Sequence, residues 1–147
     1  MSVIEREMPA VYRHKGLWTG VYRHVDVEGR TLDLHRATVD VTFPDEGPYD
    51  YIQKNHFVWQ DGRETRAELP GVYRDGRLWW DTETFSGSAW QTEEGVVMLH
   101  LLRKDEPGAS FTEVIIMGET GRHRARTWHW FQGGRLYKRT LCDEERV

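Results

Sequence analysis

Turn signals divide this chain at short, nearly even intervals, and nothing between them is long enough to hold a crossover helix. Glu28-Gly29, the run Pro44-Asp45-Glu46-Gly47-Pro48, Asp61-Gly62 and Asp75-Gly76 come first. Ser86-Gly87, Glu94-Gly95, Pro107-Gly108, Gly118 to Gly121 and Gly133-Gly134 follow. Gly and Asp supply the positive φ that tight hairpin turns require. The runs between them are β-branched and aromatic and read as strands near 17–27, 31–43, 49–60, 64–74, 77–84, 87–93, 95–104, 110–118, 122–132 and 135–146. Parallel neighbours need a connection of a dozen or more residues, so these strands must pair antiparallel, in chain order. An open sheet of this size leaves two edges bare, and closing it removes them. The expectation is an all-β protein: an antiparallel up-and-down β-barrel of about ten strands, forming a single domain over 1–147. Residues 1–15 are its lead-in, with one short helix begun by a Ser2/Glu5 capping box and stopped at Pro9.

Composition narrows the partners. The net charge of −4 argues against a nucleic-acid binder, which usually presents a basic face. The 7 Trp, 6 Tyr and 5 Phe argue for a folded chain that spends its apolar area on large rings. No window approaches the roughly 18 apolar residues of a membrane-spanning helix, so no membrane partner is expected. The start Met1-Ser2-Val3-Ile4-Glu5-Arg6-Glu7 lacks the pattern of a secretory signal. One cysteine, Cys142, rules out an intrachain disulfide and a cysteine-based zinc motif. A cytoplasmic setting is the simplest reading. Exposed Trp would favour a homodimer.

Side chains at i and i+2 share a face of a strand. Trp18, Gly20, Tyr22 and His24 fall together; so do Tyr51, Gln53, Asn55, Phe57 and Trp59; so do Arg122, Arg124, Arg126, Trp128 and Trp130. These faces mix aromatic and polar groups, which suits a ligand cavity better than a filled core. Tyr22, Gln53, Asn55, Trp80, Trp90, His100, Arg126 and Trp128 are the expected ligand-binding residues. For His100 the competing inward set is Val97, Leu99 and Leu101. Arg126 would meet an anionic or carbonyl group while Trp128 stacks on a ring. The same arginines also read as a solvated strand end, and Asp81 with Glu83 as an outer face. No histidine stands in a His-Glu-x-x-His or His-x-His arrangement, so no metal site is expected. His24 is the histidine whose neighbours most clearly point inward, and with Tyr51 it is the expected catalytic pair.

Gly16-Leu17-Trp18-Thr19-Gly20 resembles the Gly-x-Trp start of the calycins, the lipocalins, fatty-acid-binding proteins and nitrobindin-like proteins. The ending Thr140-Leu141-Cys142-Asp143-Glu144-Glu145-Arg146-Val147 is similar to the Glu-Arg ending of bacterial lipocalin-like families that include relatives of the bilin lyases. The resemblance implies that Trp18 closes one end of the barrel beside a late arginine, Arg139 or Arg146. It implies an intracellular binder of a small hydrophobic, aromatic or isoprenoid-like molecule. As an enzyme, such a barrel would act as a metal-independent lyase, isomerase, hydratase or cyclase. The other readings are a non-catalytic carrier and a nitrobindin-like haem protein. No cofactor is expected, haem being the alternative. Gly-rich phosphate loops, a nucleophile elbow and a thiol constellation are all missing.

Overall fold

The computed structural model describes residues 1–147. Ten strands run in chain order: β1 (Gly16–Val25), β2 (Thr31–Thr42), β3 (Tyr51–Val58), β4 (Glu64–Arg74) and β5 (Arg77–Asp81), then β6 (Phe85–Gln91), β7 (Val97–Arg103), β8 (Ala109–Met117), β9 (His123–Gln132) and β10 (Arg135–Arg146). Each pairs antiparallel with its chain neighbours, and β1 pairs with β10, so the sheet is closed. The closing register sets Trp18 opposite Arg146 and His24 opposite Thr140. The expected strand positions and turns match this architecture closely. No helix is long and apolar enough to cross a membrane.

One end of the barrel is plugged by the N-terminal segment. The Ser2 hydroxyl accepts from the Glu5 amide and starts α1 (Val3–Glu7). Pro9 ends that turn as expected, but it also opens a second one, α2 (Pro9–Tyr12). Proline suits a first helical position because its missing N–H would have had no partner there. Ile4, Met8 and Val11 are buried against the barrel core. The amides of Ala10 and Val11 donate to Gln91 Oε1 at 2.9 and 3.3 Å, which ties α2 to β6.

Trp18 is fully buried beneath this plug. Its indole N–H donates to the His14 carbonyl at 2.9 Å. The Arg146 guanidinium lies 4.3 Å from the centre of its ring, and that of Arg124 lies 4.5 Å away. Arg146 is thus the late arginine that the early tryptophan anticipates, and Arg139 sits toward the other end, opposite Val25. Arg146 also donates to backbone carbonyls of Arg13, Lys15 and Gly121, joining three chain segments at this end. Removing the indole empties a large, dry site between two cations. Trp18→Ala is expected to cost about 3–5 kcal/mol, read as a lowered midpoint in urea unfolding.

Candidate functional site

Above the plug the barrel encloses a cavity of about 380 Å³. That lies toward the small end of the roughly 300–1,000 Å³ typical of ligand sites. Its walls are mainly rings: Tyr22, Phe57, Trp80, Phe111, Trp128 and Trp130. Several meet edge to face, as Tyr22 does with Trp128 at a centroid distance of 5.3 Å.

The floor is ionic. Arg126 Nε donates to Glu113 Oε2 at 2.7 Å, and its Nη1 donates to the Tyr22 hydroxyl at 2.7 Å and to Glu144 Oε1 at 3.4 Å. Arg124 Nε donates to the same Glu144 oxygen at 2.8 Å, and its Nη1 to His14 Nδ1 at 3.1 Å. Burial raises the Glu144 carboxyl, but Arg126 and Arg124 outweigh it and hold the group below its ordinary range. Two guanidinium and two carboxylate groups therefore cancel. Arg126 Nη2 makes no hydrogen bond within the protein, which leaves its two N–H donors for a ligand.

Beside this floor the third strand carries a ladder of polar side chains. Tyr51 donates to Gln53 Oε1, and Gln53 Nε2 donates to Asn55 Oδ1 at 2.8 Å. Burial pushes the Tyr51 hydroxyl well above its ordinary range, so it stays protonated.

The mouth, opposite the plug, carries His24, His35, Trp59 and Lys138. His24 Nδ1 meets Thr140 Oγ1 at 2.6 Å, and His35 Nδ1 meets Asp33 Oδ2 at 2.8 Å. Trp59 Nε1 donates to Asp33 Oδ1 at 2.9 Å, and its ring packs on His35 at 4.4 Å. Burial, then the charge of Lys138, lowers His24 to about 4.

Of the residues singled out from sequence, Tyr22, His24, Gln53, Asn55, Trp80, Arg126 and Trp128 line the cavity. Three are placed elsewhere. Trp90 lies on the outer face under the Arg77 guanidinium, 4.5 Å from its ring centre. His100 is on the same outer face, exposed and in contact with Thr112 Oγ1 at 3.0 Å. The inward positions of these two strands belong to Ala89, Val97, Leu99 and Leu101. Tyr51 does face inward, but into a narrower space between cavity and plug, beside Val11 and His14. The structure therefore brings Tyr51 to Gln53 and leaves His24 at the mouth, without pairing them. Asp81 is on the outer face, salt-bridged to Lys104.

Trp59 and Trp130 line the cavity on the faces that parity assigned to it, whereas Glu113, His35, Asp33 and Lys138 are site residues that sequence reasoning did not single out. Parity offered a signal for three of them. His35 shares a face with Ala37, Val39 and Val41, and Glu113 with Phe111 and Ile115. Asp33 follows the same alternation two residues before His35.

No protein-family model matches the chain, and no curated protein matches it by sequence. Solved structures do resemble it. An S-type phycobiliprotein lyase, CPES, from Guillardia theta is 17% identical, with a TM-score of 0.75 over 100% of this chain and 93% of that one. A protein of unknown function from the DUF3598 family of Nostoc punctiforme is 18% identical, with a TM-score of 0.73 over 93% of this chain. This chain spans only 49% of that protein's length. Rv2717c from M. tuberculosis is 15% identical, with a TM-score of 0.63 over 96% of this chain and 97% of that one. At these identities the likeness is one of fold.

The histidine beneath the floor makes stability depend on pH. Burial, followed by the charges of Arg124 and Arg126, lowers His14 to about 3 from an ordinary value of 6.5. Between those values the unfolded chain takes up a proton at His14 that the native barrel refuses. His14 is therefore expected to contribute a fall of up to about 1.4 kcal/mol per pH unit on acidification from 6.5 toward 3, and His24, lowered to about 4, adds to it in the same direction. Urea unfolding at stepped pH measures this, and His14→Gln should reduce the slope, leaving the share of His24.

Proposed function

We propose that the barrel binds a small flat ring compound and holds it by a neutral hydrogen-bond acceptor, such as a carbonyl, placed on Arg126. The observation that carries this reading is a cavity walled by aromatic rings whose ionic cluster at the floor is already charge-balanced and has N–H donors to spare. A carboxylate placed there would bring an uncompensated charge among buried aromatic walls, which is costly. A carbonyl accepts a hydrogen bond from Nη2 without adding charge. Trp80, Trp128 and Tyr22 provide stacking faces, and the free donors on Gln53 and Asn55 orient a second polar substituent.

The neighbour named as a phycobiliprotein lyase brings a bilin-type chromophore into view. A bilin ring is flat and conjugated and carries a carbonyl, so one ring suits the cavity. A whole bilin exceeds about 380 Å³ and would extend through the mouth past Lys138. The reading is one of binding, with no proton transfer assigned to a His24–Tyr51 pair. It uses no cofactor.

Tryptophan-fluorescence titration with 2-naphthaldehyde, flavone and biliverdin tests it. At least one should bind with micromolar affinity. Arg126→Lys keeps the charge balance but removes the forked donor, and it should weaken that binding about tenfold, the worth of one charge-assisted hydrogen bond. Trp90→Ala, on the outer face, should leave it unchanged. If all three compounds fail to bind, or Arg126→Lys binds as well as wild type, the reading is wrong. A Soret band in the purified protein would replace it with haem binding.

A further inference from the structure

The cavity mouth gathers three metal-ligating side chains that ring binding does not use. His24 is on β1, and Asp33 and His35 stand two residues apart on β2, so they share the inner face. The register places His24 directly across from Asp33 and His35 across from Tyr22. One ligand atom from each of the three lies within 4.8 Å of the others. All three sit on paired strands of a closed barrel rather than on loops, so their spacing is held by the wall itself.

The surroundings also restrain them. Asp33 accepts from the Trp59 indole N–H and contacts His35 Nδ1, and His24 Nδ1 is held by the Thr140 hydroxyl. His24 is thus fixed through Nδ1 and keeps its Nε2 without a hydrogen bond, while His35 Nδ1 already stands beside the Asp33 carboxylate at 2.8 Å, as neighbouring ligands of one ion would. An outer contact from a hydroxyl to the second ring nitrogen, as Thr140 makes to His24, is the kind that orients histidines around metals. The His35 side chain is 5% exposed and that of Asp33 is 34% exposed, so the cluster is sheltered yet reachable through the mouth.

We propose that His24, Asp33 and His35 form a binding site for a divalent transition-metal ion at the mouth of the ligand cavity. Two imidazoles and one carboxylate suit zinc and its first-row neighbours, whereas magnesium and calcium want oxygen ligands. Metal–ligand bonds of about 2.0–2.2 Å put neighbouring donors about 3–3.5 Å apart, so the cluster must contract slightly around the ion. Lys138, at the same mouth with its ammonium 4.4 Å from the Trp130 ring centre, opposes a cation, and the Asp33 carboxylate offsets it. Three protein ligands leave coordination positions open toward the cavity. A donor atom on the ring compound, or an activated water, would occupy them.

The test is titration of the chelator-treated full chain with Co²⁺, followed by visible absorption, with Zn²⁺ as competitor and Mg²⁺ as control. The proposal expects one Co²⁺ per chain, the d–d bands of a low-symmetry nitrogen–oxygen site, displacement by Zn²⁺ and no response to Mg²⁺. Asp33→Asn, His24→Gln and His35→Gln should each weaken Co²⁺ at least about tenfold, while His100→Gln and His129→Gln on the outer face should not. Zn²⁺ should raise the melting temperature of wild type but not of Asp33→Asn, whose amide oxygen still accepts from Trp59. Absence of Co²⁺ binding, or equal binding by wild type and all three mouth variants, overturns the site. Arg126→Lys separates this proposal from the ring-binding reading, because it should weaken the aromatic probe and leave Co²⁺ binding unchanged.

Discussion

Glu144 is the residue on which the interior depends. It is fully buried on β10, one strand from Arg124 and Arg126, and one of its oxygens accepts from both. Its Oε2 is buried without a partner. A lone carboxylate in that position would cost several kcal/mol, and two lone guanidinium groups would cost as much again. Held together, with Glu113 on Arg126, they form a neutral cluster. The backbone makes room for it at Gly20, where a Cβ would come within 2.4 Å of the Asp143 carbonyl and 2.8 Å of Glu144 Cγ. The second glycine of the Gly16-to-Gly20 stretch is thus explained by close approach, since any side chain there would displace β10.

A buried ionic cluster is weak evidence for stability, because well-packed apolar residues of equal volume often do as well or better. Its position is more telling. It divides the barrel lumen into two parts. Below it Trp18, Ile4, Met8 and Val11 pack as an ordinary core under Arg146. Above it the rings stand apart and leave space. The arginine nearest that space is the one whose second amino group is left unused. The molecule is a sealed, packed lower half carrying an open upper half, with charge neutrality maintained at the boundary.

Most of the fold is legible in the sequence because hairpin turns announce themselves chemically. Gly29, Gly62, Gly76, Gly95, Gly108 and Gly133 all adopt positive φ, and each falls at a turn read from its neighbours. The cavity is legible only as far as parity carries. On β3 and β9 aromatic residues and the lumen coincide, so Gln53, Asn55, Arg126 and Trp128 come out correctly. On β6 they do not. The inward residue there is Ala89, small because Leu78, Leu99 and Leu101 crowd the same layer. Trp90 points outward and is covered by Arg77. Choosing the face by its largest ring fails wherever a barrel needs a small residue inside. His100 follows from the same error, one strand on, and the run Val97, Leu99, Leu101 was the better guide.

The mouth was harder to read, and for a different reason. Asp33 and His35 sit on one strand and His24 on the next, so no linear motif records their meeting. Their juxtaposition depends on the β1–β2 register, which shifts between His24 and Val25. Without knowing where that irregularity falls, a reader could place His24 across from Asp33 or one residue away, facing the opposite side. The shift comes just after His24, so the regular pairing extends up to the His24–Asp33 pair and is lost immediately beyond it. The closing strand then supplies Thr140 from the other side, at the position paired with His24. Three strands therefore fix one imidazole, and only a closed barrel brings the first and the tenth together to do so.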